Sequence, residues 1–328
     1  MASQKTPSVS VALCTFNGER FIEEQLRSIL AQELPAMEVV VCDDGSTDAT
    51  LSIVRAVAVE NPTATPIRLV HTDRVGGVTR NFDRAISACR GDIIALSDQD
   101  DRWDPHRLQS MVRLFAGHAG PSLVFADAAL IDGRGETLSG TLQAGLLLSR
   151  WERARIDDGR AFEALIRRNV VTGAACAVTR DLYELATPFP DSWVQDEWLA
   201  ILAAAFGRVV RSSEVLGAYR LHGSNQIGLA GTSVRARLTR MLAPRGDRYV
   251  RIHDRSATLV AKLSERGASD RVLALARRKE AFESARASYP AGRLGRVLPV
   301  LGRWARGDYR RLSSQGGLDV VRDIAQPV

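Results

Sequence analysis

Between residues 8 and 128, short apolar runs alternate with amphipathic segments, and this rhythm constrains the fold more than any other feature of the chain. "SVSVALCTF" (8–16), "MEVVVCDD" (37–44), "IRLVHT" (67–72), "DIIALS" (92–97) and "SLVFADA" (122–128) read as strands. The segments between them, 17–32, 48–60, 76–90 and 104–116, read as helices; Phe21, Ile22, Leu26, Ile29 and Leu30 recur at helical spacing in the first. Strand–helix repetition of this kind predicts a largely parallel sheet with helices on both faces. Further on, 132–160 reads as loop and short helices, and 158–168 as a helix. A strand is expected at 169–180, a helix at 194–206 and a strand at 214–222. The expectation is an α/β domain over 1–230, followed by a basic helical C-terminal extension over 231–328.

Charge divides the chain at the same place. After residue 230 there are 21 Lys/Arg against 9 Asp/Glu, whereas the first 230 residues hold 23 against 29. An acidic front and a basic tail suggest two jobs. A 45% hydrophobic and 25% charged composition is ordinary for a soluble globular protein. The four cysteines, Cys14, Cys42, Cys89 and Cys176, include no C-x-x-C pair. That spacing argues against a zinc site or a disulfide scaffold and fits a reducing cytosol. "MASQKTP" shows no secretory signal, and the most apolar helical run, 198–206, is too short to span a bilayer. A cytoplasmic location is therefore expected.

In open parallel sheets, ligands bind at the carboxyl ends of the strands. Three polar clusters fall at such ends: "TFN" (15–17), "DDGS" (43–46) and "DQDD" (98–101). Each alone is compatible with helix capping; their convergence points to a site. Asp98 and Asp100 are separated by one residue, so on an extended strand end they point to the same side. Two such carboxylates repel unless a cation or donor lies between them. Oxygen ligands suit a hard cation such as Mg²⁺ or Mn²⁺, and a small protein ligand set leaves room for substrate phosphates. This D-x-D pair therefore points to a metal and nucleotide-diphosphate site.

"VSVALCTFNGERFIEEQLRSILAQ", "VVVCDDGSTDAT" and "LSDQDDRWDPHRL" resemble the family 2 glycosyltransferases, and the resemblance covers about residues 8–228. It implies the GT-A fold, a Rossmann-like, mostly parallel sheet enclosed by helices. "QDEWLAILAAAFGRV" followed by "YRLHGSNQIG" resembles the bacterial rhamnosyltransferase-like branch. The resemblance implies that Thr15, Phe16 and Asn17 line the nucleotide end and that Asp44 bonds the base. It implies that Asp98 bonds the ribose or a metal-bound water, Asp100 ligates the metal and His222 approaches the metal or diphosphate. Asp196 of "QDEW" would be the general base; Gln195 stands where the branch often has His, and Glu197 follows directly, leaving the choice between the two carboxylates open. From the residues themselves, the glycine-rich turn "GGVTRNF" and Arg80 could face a diphosphate, or simply start a helix.

The implied activity is inverting, metal-dependent sugar transfer from a nucleotide sugar, dTDP-rhamnose by the branch resemblance. The acceptor would be a hydroxyl of a glycan or lipid-linked glycan in surface polysaccharide biosynthesis. The basic tail is a solvated helical face or a peripheral contact with anionic membrane; it lacks the interleaved aromatics of a nucleic-acid surface. Three rivals are a transferase of another sugar such as a UDP-hexose, a sugar-phosphate nucleotidyltransferase, and an inactive nucleotide-sugar-binding scaffold. The nucleotidyltransferase would call for a glycine-rich, Lys/Arg-containing first loop, which "CTFNGERF" is not.

Overall fold

The computed structural model describes residues 6–61, 63–222 and 245–327. Contacts separate the chain into two units, Met1–Gly159 with Val170–Gly228, and Arg160–Asn169 with Leu229–Val328.

The first unit is built on a nine-stranded sheet. Its strands are β1 (Val9–Thr15), β2 (Glu38–Asp43), β3 (Ile67–His71), β4 (Ile93–Ser97), β5 (Arg102–Trp103), β6 (Ser122–Asp132), β7 (Thr137–Thr141), β8 (Cys176–Thr179) and β9 (Arg208–Leu221). The order is β3-β2-β1-β4-β8-β6-β9-β5, with β7 paired to β6. From β3 to β4 every pairing is parallel, as is β6 with β9; β8, β5 and β7 pair antiparallel. The sheet is therefore mixed, with most of its paired residues in parallel register. β1, β2 and β4 are buried along their whole lengths, which is why they read as continuous apolar runs.

Helices α1 (Ile22–Leu30), α2 (Thr50–Glu60), α3 (Val78–Ala88) and α4 (Arg107–Phe115) follow the first strands. α1 buries Ile22, Leu26 and Ile29 in one core cluster with Val9, Val11 and Val39 of the sheet and Leu108 and Met111 of α4. Trp103 is in the same cluster and anchors the short strand β5 to it. The order of elements brings the ends of β1, β2 and β4 side by side: Thr15 pairs with Asp43, and Leu13 with Ser97.

Several elements differ from expectation. Most of 169–180 is not strand: a 3₁₀ turn at Gly173–Ala175 precedes the four residues of β8. β9 begins six residues before the expected 214. The segment 160–169, placed by sequence in the first domain, groups with the second unit and carries the short helix Ala161–Leu165. The expected boundary at 230 lies outside the described residues.

The second unit contains helices Arg248–Glu265, Asp270–Ala287, Arg293–Ala305, Asp308–Leu312 and Gly317–Ala325. It has its own core of Phe282, Tyr289, Val300, Tyr309 and Leu312. It also buries charge. Asp323 receives Arg286 Nε at 2.7 Å and the hydroxyls of Tyr249 and Tyr309 at 2.6 and 2.7 Å. Lys279 and Glu283 pair beside it at 2.7 Å. The basic tail is thus a folded helical unit with an ionic interior.

Candidate active site

A cavity of about 550 Å³ opens where the ends of β1, β2 and β4 meet the start of the helix Gln195–Phe206. Its lining includes Thr15, Phe16, Asn17, Asp44, Asp98, Asp100, Asp196 and His222. Eight of the nine residues expected at the site are therefore brought together, from positions more than 200 residues apart in the chain.

The β1 end is stitched to its neighbours. The Thr15 hydroxyl donates to Asp43 at 2.6 Å, and Asp43 also accepts the Ser46 N–H at 2.6 Å. Asn17, in a left-handed conformation (φ 47°), donates its N–H to Ser46 Oγ and accepts from the Thr47 N–H. Gln99, between Asp98 and Asp100, behaves like an added strand residue: it accepts the Phe16 N–H at 2.9 Å and donates to the Phe16 carbonyl at 3.0 Å. Gly18 packs so closely on this amide that a Cβ there would collide with the Gln99 side chain.

Asp44 accepts three backbone N–H groups, from Val75 at 2.5 Å and from Gly76 and Gly77 at 2.9 Å each. Burial raises its proton affinity, but the donors of Gly77, Gly76 and Val75 outweigh that and hold the carboxyl below its usual range. Gly76 and Gly77 both take positive φ (75° and 134°), which lets consecutive N–H groups converge on one carboxylate. This turn starts α3.

Arg80 is not among the cavity-lining residues. It is exposed and forms a two-bond ion pair with Asp191 at 2.6 and 2.9 Å. The next residue, Asn81, points inward instead; successive helical residues diverge by about 100°. Asn81 is 4% exposed, donates to the Cys42 carbonyl at 3.1 Å, and its buried Oδ1 has no hydrogen-bond partner among the described residues. Sequence reasoning missed Asn81; its only signal was its place beside Arg80 in "TRNF".

The acidic loop after β4 is held from below. Asp101, the last acid of "DQDD", is buried and accepts the Arg220 N–H at 3.1 Å. The buried Arg220 side chain donates to the Asp100 carbonyl at 2.7 Å and pairs with Glu24 at 2.6 Å. Asp100 Oδ2 lies 2.7 Å from His222 Nε2, whose ring packs on Phe21 at 4.9 Å. Burial, then the charges of Asp100 and Asp196, push the Asp98 carboxyl up to about 7.

Asp196, in the first turn of the helix Gln195–Phe206, is 9% exposed. It accepts the Gly173 N–H at 2.9 Å and the Glu197 N–H at 2.6 Å. Burial and then the Glu197 charge push its carboxyl up to about 7 despite those two donors. Glu197 is not among the lining residues.

The residues fit a divalent cation on one structural ground. Asp98 and Asp100 crowd negative charge into a buried strand end, and His222 adds a nitrogen donor against Asp100. No group of three or more His, Cys, Asp or Glu among the described residues could hold a metal by itself. A ligand set completed by donor phosphates is consistent with that geometry.

The profile of glycosyl transferase family 2 matches residues 10–178, more than half of the chain. The chain belongs to glycosyl transferase family 2. An uncharacterized glycosyltransferase of Nostoc sp. is 28% identical over 228 residues, 66% of this chain and 66% of its own length. A dTDP-rhamnosyl transferase of Shigella flexneri is 36% identical over 103 residues, 30% of this chain and 35% of its own length. The chain thus spans less than two thirds of the length of these curated relatives. Among solved structures, a mannosyltransferase from Pyrobaculum calidifontis in complex with GDP-Man and Mn²⁺ superposes with a TM-score of 0.50 at 20% identity, covering 98% of this chain and 86% of that one. At this identity the likeness is one of fold, the GT-A fold of the family.

Proposed function

We propose that this chain transfers a sugar from a nucleotide diphosphate donor to an acceptor hydroxyl, with inversion at the anomeric carbon. The observation that carries the reading is Asp196. It is a buried carboxylate with raised proton affinity, lining the same cavity as the strand-end acids and the β1 loop. A carboxylate of this kind suits a general base that accepts the hydroxyl proton as the oxygen attacks. One base suffices for a direct displacement, and no second carboxylate nucleophile is needed. The Gly173 and Glu197 N–H groups hold its oxygens in place.

In this reading Thr15, Phe16, Asn17 and Asp44 bind the nucleotide, and Asp98 binds the ribose or a metal-bound water. Asp100 and His222 would hold Mg²⁺ or Mn²⁺. When bound, the cation would offset charge developing on the leaving diphosphate. The chain's own part is to aim these groups: Gln99 ties the acidic loop to the β1 loop, and Arg220 ties it to β9. Arg80, engaged by Asp191, is assigned no role in this reading.

The partial match to the Shigella enzyme supports dTDP-rhamnose as donor. Acceptors in this reading are glycans or lipid-linked glycans of a surface polysaccharide. The test is a panel of nucleotide sugars assayed for donor hydrolysis and transfer, with Asp196→Asn as the control. Turnover of dTDP-rhamnose above UDP- and GDP-sugars supports the reading. Hydrolysis unaffected by Asp196→Asn, or no binding of any nucleotide sugar, overturns it.

A further inference from the structure

The helix Arg293–Ala305 of the second unit is turned inside out relative to a surface helix. A surface helix normally presents its apolar stripe to the core. Here Leu294 is 90% exposed, Leu298 81%, and Leu301 and Trp304 are also exposed. Leu294, Leu298 and Leu301 are spaced i, i+4, i+7 and share one face. The inward face carries Val300 and Arg296, whose guanidinium is buried and donates to the carbonyls of Pro290 and Gln326, each at 2.6 Å. The leucine ridge is therefore fixed outward by a polar anchor on the opposite side.

Its charge surroundings are one-sided. Between residues 290 and 318 there are six arginines and one acid, Asp308. Asp308 is buried and already engaged by Arg278 and Arg303. Arg293, Arg306, Arg310 and Arg311 are exposed. An exposed leucine and tryptophan ridge whose exposed charged neighbours over 290–318 are arginines matches the interface-lying amphipathic helix of peripheral membrane proteins. The same features disfavour a second copy of this chain. An isologous contact would set like charges against one another across the ridge.

We propose that this helix docks on an anionic lipid surface, inserting Leu294, Leu298, Leu301 and Trp304 among acyl chains while the flanking arginines meet the headgroups. The contact is thus more than the electrostatic attraction expected of a basic tail, and it stands whether or not the sugar-transfer reading does.

The test is co-sedimentation of the full chain with phosphatidylcholine vesicles and with vesicles that also contain phosphatidylglycerol. The intact chain should bind the mixed vesicles, and Trp304 emission should shift to shorter wavelength, a shift absent from Trp304→Phe. Leu294→Gln with Leu298→Gln keeps the charge and alters only exposed side chains. It should weaken binding by roughly tenfold or more. Arg306→Ala with Arg310→Ala and Arg311→Ala should weaken it by about fivefold per residue. Circular dichroism checks the fold of each variant. Undiminished binding by the double leucine variant overturns insertion, as does equal affinity of the intact chain for neutral vesicles. A concentration-dependent dimer lost in that variant, with no vesicle binding by the intact chain, overturns the lipid assignment in favour of self-association.

Discussion

His222 Nε2 stands 2.7 Å from Asp100 Oδ2 although 122 residues separate them in the chain. The contact joins the end of β9 to the acidic loop after β4. If the pair holds a divalent cation, His222→Ala and Asp100→Asn should each weaken Mn²⁺-dependent donor binding by at least the roughly 10–100-fold that loss of a residue supporting a ligand costs. Titration calorimetry with and without chelator reads this directly. Full activity in excess chelator would remove the metal from the mechanism.

Asp196 and Glu197 can be separated by substitution. Asp196→Asn should retain the fold and donor affinity but lose on the order of 10²–10⁴-fold in single-turnover transfer, because an amide accepts no proton. Glu197→Gln, outside the cavity lining, should be much milder. The reverse pattern would move the base by one residue.

The pH profile follows from the same carboxyl. Asp196 works as a base only when ionised, and burial followed by the Glu197 charge raises its carboxyl to about 7. Rate should therefore rise with pH and level off above about 7, falling roughly tenfold per unit on the acid side. Removing the Glu197 charge lowers the cost of ionising Asp196, so Glu197→Gln should move the profile to lower pH. A profile identical in wild type and Glu197→Gln would contradict this coupling.

Gly18 and Gln99 should behave as one position. Gly18→Ala pushes a methyl into the Gln99 amide and should cost about 1–3 kcal/mol, as overpacking does. Gln99→Ala makes room but breaks the clasp on Phe16. Denaturant unfolding of the two single variants and the double variant should show a combined loss smaller than the sum.

In the second unit, Asp323→Asn should destabilise by about 3–5 kcal/mol by leaving Arg286 buried without its full counter-charge. Burial raises the Asp323 carboxyl, but Arg286, Tyr249 and Tyr309 outweigh it and hold it below its usual value. Its contribution is therefore present above the unfolded-state pKa and is lost as pH falls through the folded value. Wild type and variant should converge in stability at low pH.

The sheet's first half was legible because β1, β2 and β4 are buried throughout and leave unbroken apolar runs. β5 is two residues long, and β7 is nearly all exposed, so neither leaves a pattern. The apolar run at 169–180 could not distinguish a strand from the 3₁₀ turn that presents the Gly173 N–H to Asp196. For 160–169, periodicity suggested a helix but not which core would receive it. At the site, strand-end acids stood out because charge beside apolar runs is conspicuous. Asn81 did not, because its role depends on a helix rotation that places Arg80 outward.

Asp44 carries a consequence for which nucleobase can be read. An ionised carboxylate offers about four lone-pair sites. The Val75, Gly76 and Gly77 N–H groups take three of them. If the base docks at Asp44, a single acceptor position remains. Thymine and uracil present one imino hydrogen there, which the vacancy matches. Guanine presents two parallel donors, and seating both would tear a bond from the turn that begins α3. Donor choice between pyrimidine and guanine nucleotides would then be set by valence already spent inside the protein, before any sugar is recognised.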